Sequence, residues 1–310
     1  LSLLVDTNDE WVASRTGIRQ RRIIGPDESI FDLCFKASHE ALTMAGWDPD
    51  SIDLILLATS TPDDLFGMAP KIQAKLGAKN AVAFDLTAAC SGFLFALITA
   101  SQFLQNGSYK RALIIGSDQL SRWMDWKDRR SCVLFGDGSG AIAIEATSKN
   151  KESLIGFELK SDGSRGDCLT VSQKKSFVPL VDSYQTQVGG FQNIQMNGQE
   201  VYKFAVREVP SLLESVLDAC GINAETLDWL LLHQANQRIL NAVANRFSIP
   251  QKKVLSNLAN YGNTSAGTIP IMLDEAVRDG RVKPGHLIAC SGFGAGLSWG
   301  VAVFRWNGPS

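Results

Sequence analysis

Three side chains in this 310-residue sequence pair a reactive type with a place where reactive groups work: Cys90, His233 and Asn263. Cys90 lies in Phe84-Asp-Leu-Thr-Ala-Ala-Cys-Ser-Gly-Phe-Leu-Phe-Ala-Leu97, a strand that turns through small residues straight into an apolar helix. A thiol there faces the positive end of a helix macrodipole and free backbone N–H groups, which favour the nucleophilic thiolate. An ordinary buried cysteine, acting as a small hydrophobe, fits the same placement. His233 ends a buried-strand run and is followed by Gln-Ala-Asn-Gln-Arg-Ile-Leu, the opening of an amphipathic helix. That carboxyl edge of a sheet is where α/β proteins bind ligands, although a capping or core histidine would also sit there. Asn263 stands in Asn260-Tyr-Gly-Asn-Thr-Ser-Ala-Gly267, whose small residues permit tight turns and suit a helix N-cap equally well. One constellation of Cys, His and Asn at strand ends is more economical than three coincidences.

Two glycine-rich stretches could serve such a constellation. Gly292-Phe-Gly-Ala-Gly296 reads either as a hairpin turn or as a backbone that presents an N–H to a developing oxyanion. Phe135-Gly-Asp-Gly-Ser-Gly140 lacks the Lys-Ser/Thr ending of a phosphate loop and runs into a strand-like Ala-Ile-Ala-Ile, so we set a phosphate role aside. His39, in a helix, and His286, after a Pro-Gly turn, read as surface or turn residues.

The elements that must position these groups form a weak internal duplication. Ser51 to Thr59 reads as a buried strand after a helix ending at Gly46, and Thr226 to His233 repeats the pattern after a helix ending at Gly221. A strand over 80–86 leads into a helix over 91–104. Its counterpart runs through 256–260 into a helix over 265–277, which places Cys90 and Asn263 at equivalent positions. Each half closes with a strand, a glycine-rich turn and another strand. Strands alternating with helices imply parallel pairing, and buried parallel strands want apolar runs such as Ala112-Leu-Ile-Ile115. The expectation is an α/β protein of two similar halves, residues 1–150 carrying the cysteine and residues 151–310 carrying the histidine and asparagine. Residues 147–198 are polar and read as a linker with a surface excursion and only brief strand-like pieces.

Composition sets the outer limits. A formal charge of −2 gives no global reason to expect nucleic acid or an anionic membrane as a partner. The six cysteines are scattered, with no C-x-x-C pair, which argues against a zinc site or a disulfide framework and for a reducing compartment. Apolar runs are strand-length, far short of the ~20 residues of a membrane span. The sequence opens at Leu1 without an initiator methionine, so a targeting segment removed by processing is compatible with it.

Several ordered segments together resemble the β-ketoacyl-acyl carrier protein synthase III family of thiolase-fold condensing enzymes. They are Asp6 to Arg19, Ala88-Ala-Cys-Ser-Gly92, Phe135-Gly-Asp-Gly138, His233-Gln-Ala-Asn236, Asn260 to Ser265 and Gly292 to Gly300. The resemblance covers nearly the whole chain. It implies a thiolase-like fold of two duplicated βαβαβαββ halves in α/β/α/β/α layers, a homodimer, and Cys90, His233 and Asn263 as a catalytic triad. Acyl-CoA and malonyl-acyl carrier protein are the implied substrates, with no metal or other cofactor, in the cytoplasm or a plastid stroma. The amides of Cys90 and Ala295 would form an oxyanion hole, and Phe293 would shield the condensation step. Trp11 and Arg129 would sandwich the CoA adenine, with Thr7, Arg15 and Asn236 along the same tunnel. Arg238, Arg246 and Lys203 would meet the acidic carrier protein. The family's first strand precedes the equivalent of Leu1, and the stretch 174–195 is longer than in common relatives. A polyketide or quinolone-type synthase using the same triad is the nearest competing reading. A Cys-His-Asn hydrolase and a non-catalytic scaffold are more distant ones.

Overall fold

The computed structural model describes residues 1–147 and 153–309. The chain begins with helix α1 (Asp9–Thr16) and α2 (Ile30–Ala45), then strand β1 (Leu54–Ala58), α3 (Ala69–Leu76), β2 (Val82–Leu86), α4 (Gly92–Gln105), β3 (Arg111–Gln119) and β4 (Asp137–Glu145). Local chemistry sets these boundaries. Ser29 and Asp32 close a capping box at the start of α2, and Gly46 ends that helix in the left-handed region. β1 is buried at all five positions, as a central parallel strand covered on both faces must be.

β5 (Leu154–Ser161), the short β6 (Leu169–Thr170), the hairpin β7 (Ser176–Val181) and β8 (Tyr184–Val188), and β9 (Gln195–Met196) follow. The second half then runs through α5 (Gly198–Ala219), β10 (Trp229–Leu232), α6 (Gln237–Arg246), β11 (Val254–Leu255), α7 (Leu258–Tyr261), α8 (Thr268–Arg278), β12 (Leu287–Gly294) and β13 (Ser298–Arg305).

The duplication is explicit in the sheets. One has the order β2-β1-β3-β4 and the other β11-β10-β12-β13-β5. In each, the first three strands are parallel and the fourth is antiparallel to the third. Strand alternation then distributes the core. Leu54, Leu56 and Ala58 of β1 pack with α4, α8 and the facing residues Leu231, Ile288 and Cys290 of the second sheet. Ile55 and Leu57, on the opposite face, pack under α2 and α3. Leu230, Leu232, Ala289 and Val301 pack under α5 and α6. The result is the expected α/β/α/β/α layering, with α4 and α8 in the middle.

Three expectations need adjustment. Residues 147–198 contain more than brief strands: β5 spans eight residues and pairs with β13 along its length. Its apolar run is broken by Gly156 and ends in Glu158 and Lys160, so within a polar stretch it reads as a brief piece. The boundary placed between 150 and 151 falls in 148–152, outside the described residues. In the second half the strand is 254–255, and 258–261 form the single helical turn α7. A 3-10 turn at Ala89–Ser91 precedes α4 and one at Ser265–Gly267 precedes α8. The counterpart of Cys90 is therefore Ala266, three residues beyond Asn263, because α7 displaces the asparagine upstream of the repeated turn.

Candidate active site

Cys90 occupies the middle of the 3-10 turn at the head of α4, 6% exposed. The residue before it, Ala89, has φ +48°. A left-handed alanine costs roughly 1–2 kcal/mol, and such strain collects where function over-determines the backbone. The repeat carries the same feature, since Ser265 has φ +52° in the turn before α8. The two turns meet: the Ser265 hydroxyl donates to the Cys90 sulfur at 3.3 Å.

Ser265 links the cysteine to both other candidates. Its backbone N–H donates to Asn263 Oδ1 at 2.8 Å, which fixes the asparagine side chain. Thr268 Oγ1 lies 3.0 Å from the Ser265 carbonyl and 2.7 Å from Nδ1 of His233. His233 is 1% exposed at the end of β10, its backbone held by the Ser291 carbonyl, and the ring of Phe293 stands edge-on at 5.1 Å. The structure thus ties Cys90, His233 and Asn263 to one turn at Ser265–Thr268, with Phe293 against the histidine ring. Sequence reasoning missed Ser265 and Thr268. Their only signal was membership of a small-residue stretch that also suits a helix cap.

The Phe135–Gly140 motif proves to be a clamp on the asparagine loop. Asn263 donates its N–H to the Leu134 carbonyl and accepts from the Gly136 N–H, both at 2.9 Å. A Cβ on Gly136 would meet the Tyr261 carbonyl oxygen at 2.5 Å, so only glycine lets the two chains run this close. Asp137 anchors the clamp through Ile24 N–H, Ser121 N–H and the Ser121 hydroxyl.

Gly294 ends β12 directly against the nucleophile. A Cβ there would lie 2.8 Å from the Cys90 Cβ and 3.0 Å from its amide nitrogen. The backbone at Gly294 therefore runs past the Cys90 N–H, one residue before the Ala295 amide that a two-amide oxyanion cradle would use. We expect Gly294→Ala to slow acylation of Cys90 about a hundredfold, the scale of losing one oxyanion donor. The rate of acyl-adduct formation by intact mass checks this; a variant acylated at the wild-type rate would remove the cradle from this position.

The duplicated turn shows the contrast. β12 backs Gly292 onto Ser91, and β3 backs Gly116 onto Ala266. Two residues further along each strand stand Gly294 and Asp118. The Asp118 carboxylate accepts from the Ala266 amide at 3.3 Å, and from Ser60 N–H at 2.7 Å and the Thr61 hydroxyl at 3.1 Å. Asp118 is fully buried, and desolvation pushes its carboxyl up against these hydrogen bonds.

Burial decides the resting protonation states. Desolvation pushes the Cys90 thiol up to about 12, with the Asp118 charge adding to it and the Ser265 hydrogen bond opposing it. Desolvation pushes His233 down to about 3. The thiolate expected from the helix terminus is thus outweighed by loss of water, and both groups rest neutral at pH 7. A raised thiol pKa means that the thiolate fraction, and with it the alkylation rate, increases with pH only above the range of a free thiol. Iodoacetamide labelling of Cys90, followed by peptide mass, is expected to stay slow through about pH 9. Half-maximal labelling below pH 8 would show that the helix terminus governs the thiol after all.

The residues assigned to a CoA tunnel lie at the protein surface around α1. The guanidinium carbons of Arg15 and Arg129 sit 4.5 and 5.2 Å from the Trp11 ring centroid. Thr7 Oγ1 is buried without a hydrogen-bond partner, an acceptor or donor left open. Asn236 caps α6 and donates to the Arg15 carbonyl at 3.4 Å, while Arg238 donates to the Ser14 carbonyl at 3.3 Å. These bonds dock α6 on α1. Arg246 pairs with Glu214 at 3.3 Å and Lys203 with Glu200 at 2.8 Å. Arg238 and Arg246 are eight residues apart on α6, and Lys203 lies on the neighbouring α5.

Among the described residues no group of three or more His, Cys, Asp or Glu could hold a metal ion. All six cysteines are free. No helix among those residues is long and apolar enough to cross a membrane.

A layered duplicated fold with a buried cysteine on a strained turn, linked through Ser265 and Thr268 to an asparagine and a histidine of the other half, is that of a thiolase-fold acyltransferase. Residues 84–163 match the family model of 3-oxoacyl-acyl-carrier-protein synthase III, and residues 217–306 match the model of its C-terminal part. The chain is 75% identical to a β-ketoacyl-acyl-carrier-protein synthase III of Prochlorococcus marinus over 309 residues, covering 100% of this chain and 91% of that protein. A crystal structure of 3-oxoacyl-acyl-carrier-protein synthase III from Aquifex aeolicus superposes with a TM-score of 0.89 at 41% identity, over 98% of this chain and 93% of that one. The priming β-ketosynthase of a polyketide pathway superposes as well, with a TM-score of 0.90 over 99% of this chain and 91% of that one, at only 32% identity. The chain belongs to the β-ketoacyl-acyl carrier protein synthase III family.

Proposed function

We propose that the protein carries out the initiating condensation of fatty acid synthesis, joining a short acyl group from CoA to malonyl-acyl carrier protein. The observation that carries this reading is the Ser265-centred cluster, which holds a neutral buried thiol beside a neutral imidazole and an amide. Cys90 sulfur attacks the acyl-CoA carbonyl, the Cys90 and Ala295 amides hold the oxyanion, and the thiol proton leaves with CoA. Malonyl-acyl carrier protein then loses carbon dioxide. The electron pair of the broken bond passes to the enolate, whose oxygen accepts hydrogen bonds from His233 and Asn263. The carbanion attacks the acyl carbonyl, and Cys90 departs and regains a proton. Phe293 keeps water from the intermediate. CoA thioesters serve as substrates, and no cofactor takes part.

Trp11, Arg129, Arg15, Thr7 and Asn236 hold the CoA by stacking and hydrogen bonding, and the adenine parts Arg129 from Trp11 as it enters. Arg238, Arg246 and Lys203 attract the acidic carrier protein, their acidic neighbours giving way. The halves 1–150 and 151–310 supply nucleophile and enolate donors respectively. A second copy of the chain covers the open edge of the first sheet, where Leu65, Phe66, Val82 and Phe84 are exposed beside or on β2. The compartment is the cytoplasm or, after removal of a transit segment, a plastid stroma.

Intact mass after incubation with acetyl-CoA, and again after malonyl carrier protein is added, tests the reading. An acetyl adduct on Cys90 that disappears as acetoacetyl carrier protein forms is the expected course. An adduct that only hydrolyses would turn the assignment toward a hydrolase.

A further inference from the structure

His233 and Thr268 are each 1% exposed, and 2.7 Å separates Nδ1 from Oγ1. A neutral imidazole carries one proton, so one nitrogen donates and the other accepts, and the hydrogen bond made by one nitrogen decides the state of the other. A threonine hydroxyl likewise has one proton to give. Two arrangements satisfy these counts. In one, Thr268 donates to Nδ1 and the imidazole proton sits on Nε2. In the other, Nδ1–H donates to Thr268, which passes its proton to the Ser265 carbonyl at 3.0 Å.

The helix start leaves the first arrangement open at no cost to the backbone. The Ser265 carbonyl already accepts the backbone N–H of Thr268, where the 3-10 turn ends. It is not left unpaired when the hydroxyl turns to the imidazole. The 2.7 Å contact is a hydrogen bond in both arrangements, and only the first leaves an Nε2–H to donate to the enolate oxygen of the proposed reaction.

We infer that Thr268 is a positioning residue, whose hydroxyl donates to Nδ1 of His233 and thereby keeps the imidazole proton on Nε2. In that tautomer Nε2–H can donate to an oxygen gaining negative charge. The opposite tautomer presents a lone pair to the same oxygen and repels it. Thr268 touches neither substrate nor the reacting atoms; it acts through the ring. This inference rests on the condensing role proposed for His233.

Its test uses the whole enzyme and the variants Thr268→Val, which keeps shape and removes the hydroxyl, and Thr268→Ser, which keeps the hydroxyl. Loss of a group that orients an active-site histidine through its far nitrogen costs about 10–100-fold in activity. We expect Thr268→Val to lose about that much in kcat for condensation, with KM for malonyl carrier protein and the rate of Cys90 acylation little changed. Thr268→Ser should restore the rate. The imidazole nitrogens are read directly by 15N NMR of histidine-labelled protein, in a chain with three histidines. Wild type should show His233 protonated at Nε2, and Thr268→Val a mixture of tautomers. A wild-type spectrum with the proton on Nδ1 overturns the inference, as does Thr268→Val that condenses at the wild-type rate. If Thr268→Val fails to fold, the wild-type spectrum alone decides. If wild-type enzyme is acylated yet never condenses, the proposed function fails while the spectrum still reports on Thr268.

Discussion

Cys90→Ser is expected to abolish acyl transfer, with no acyl adduct in the intact mass and a loss of at least about a thousandfold in turnover. The expectation follows from the surroundings of the sulfur rather than from its identity alone. A hydroxyl nucleophile needs a strong neighbouring base, because an alcohol holds its proton far more tightly than a thiol. The histidine nearby is pushed down to about 3 by desolvation and is a poor base. Ser265, which touches the sulfur, is placed as a donor to it. Nothing in this cluster is built to take a proton from an alcohol. An acyl adduct mapped to position 90 of the Cys90→Ser variant would falsify the view that an unassisted thiol is the nucleophile.

His233→Ala and Asn263→Ala are expected to separate the two half-reactions. Each should leave acylation of Cys90 near the wild-type rate and lower condensation about a hundred- to thousandfold, the scale of removing a donor from a developing oxyanion. The reasoning is geometric. The backbone at Gly294 runs against the amide of Cys90, where an acyl oxygen on the sulfur would be held. His233 and Asn263 reach the site from β10 and from the loop before α8, each tied to the Ser265 turn. They can therefore serve a second oxygen, that of the malonyl thioester. Because both donate to that one oxygen, the double variant should lose less than the product of the two single losses. Single-turnover acylation and carbon dioxide release, measured side by side, check the division. If His233→Ala slowed acylation as much as condensation, the two-oxygen arrangement would have to be abandoned.

Much of this was legible in the sequence, for identifiable reasons. Strand-length apolar runs such as Leu54 to Ala58 announce buried parallel strands because both their faces are covered. The glycine at 46 marks a helix end through backbone chemistry that context does not override. Cys90 and His233 were visible because strand ends are easy to find and both residues are rare. The residues that escaped are those whose role depends on a neighbour distant in the chain. Ser265 looks like any serine until 175 residues of separation from Cys90 are closed to 3.3 Å, and Asp118 like any aspartate until 148 are closed to bring it to Ala266. Asn263 was singled out, but its place in the repeat was misjudged, since no periodicity reveals the turn α7. β5 was read as a brief piece because Gly156 interrupts its apolar run and Glu158 and Lys160 end it, while its pairing partner β13 lies far along the chain.

The carboxylate of Asp118, resting on the Ala266 amide, has a bearing on inhibitor chemistry. Two sister turns began with the same backbone shape, and in one of them the protein has filled the anion seat with its own side chain. The sister turn beside Gly294 is therefore matched by an example within the same chain: a carboxyl oxygen set on the turn's amide from the strand that runs past it. A small molecule that copies this geometry, with an acidic oxygen set over the Cys90 amide and an apolar stem running along β12, would be imitating a ligand the fold already carries.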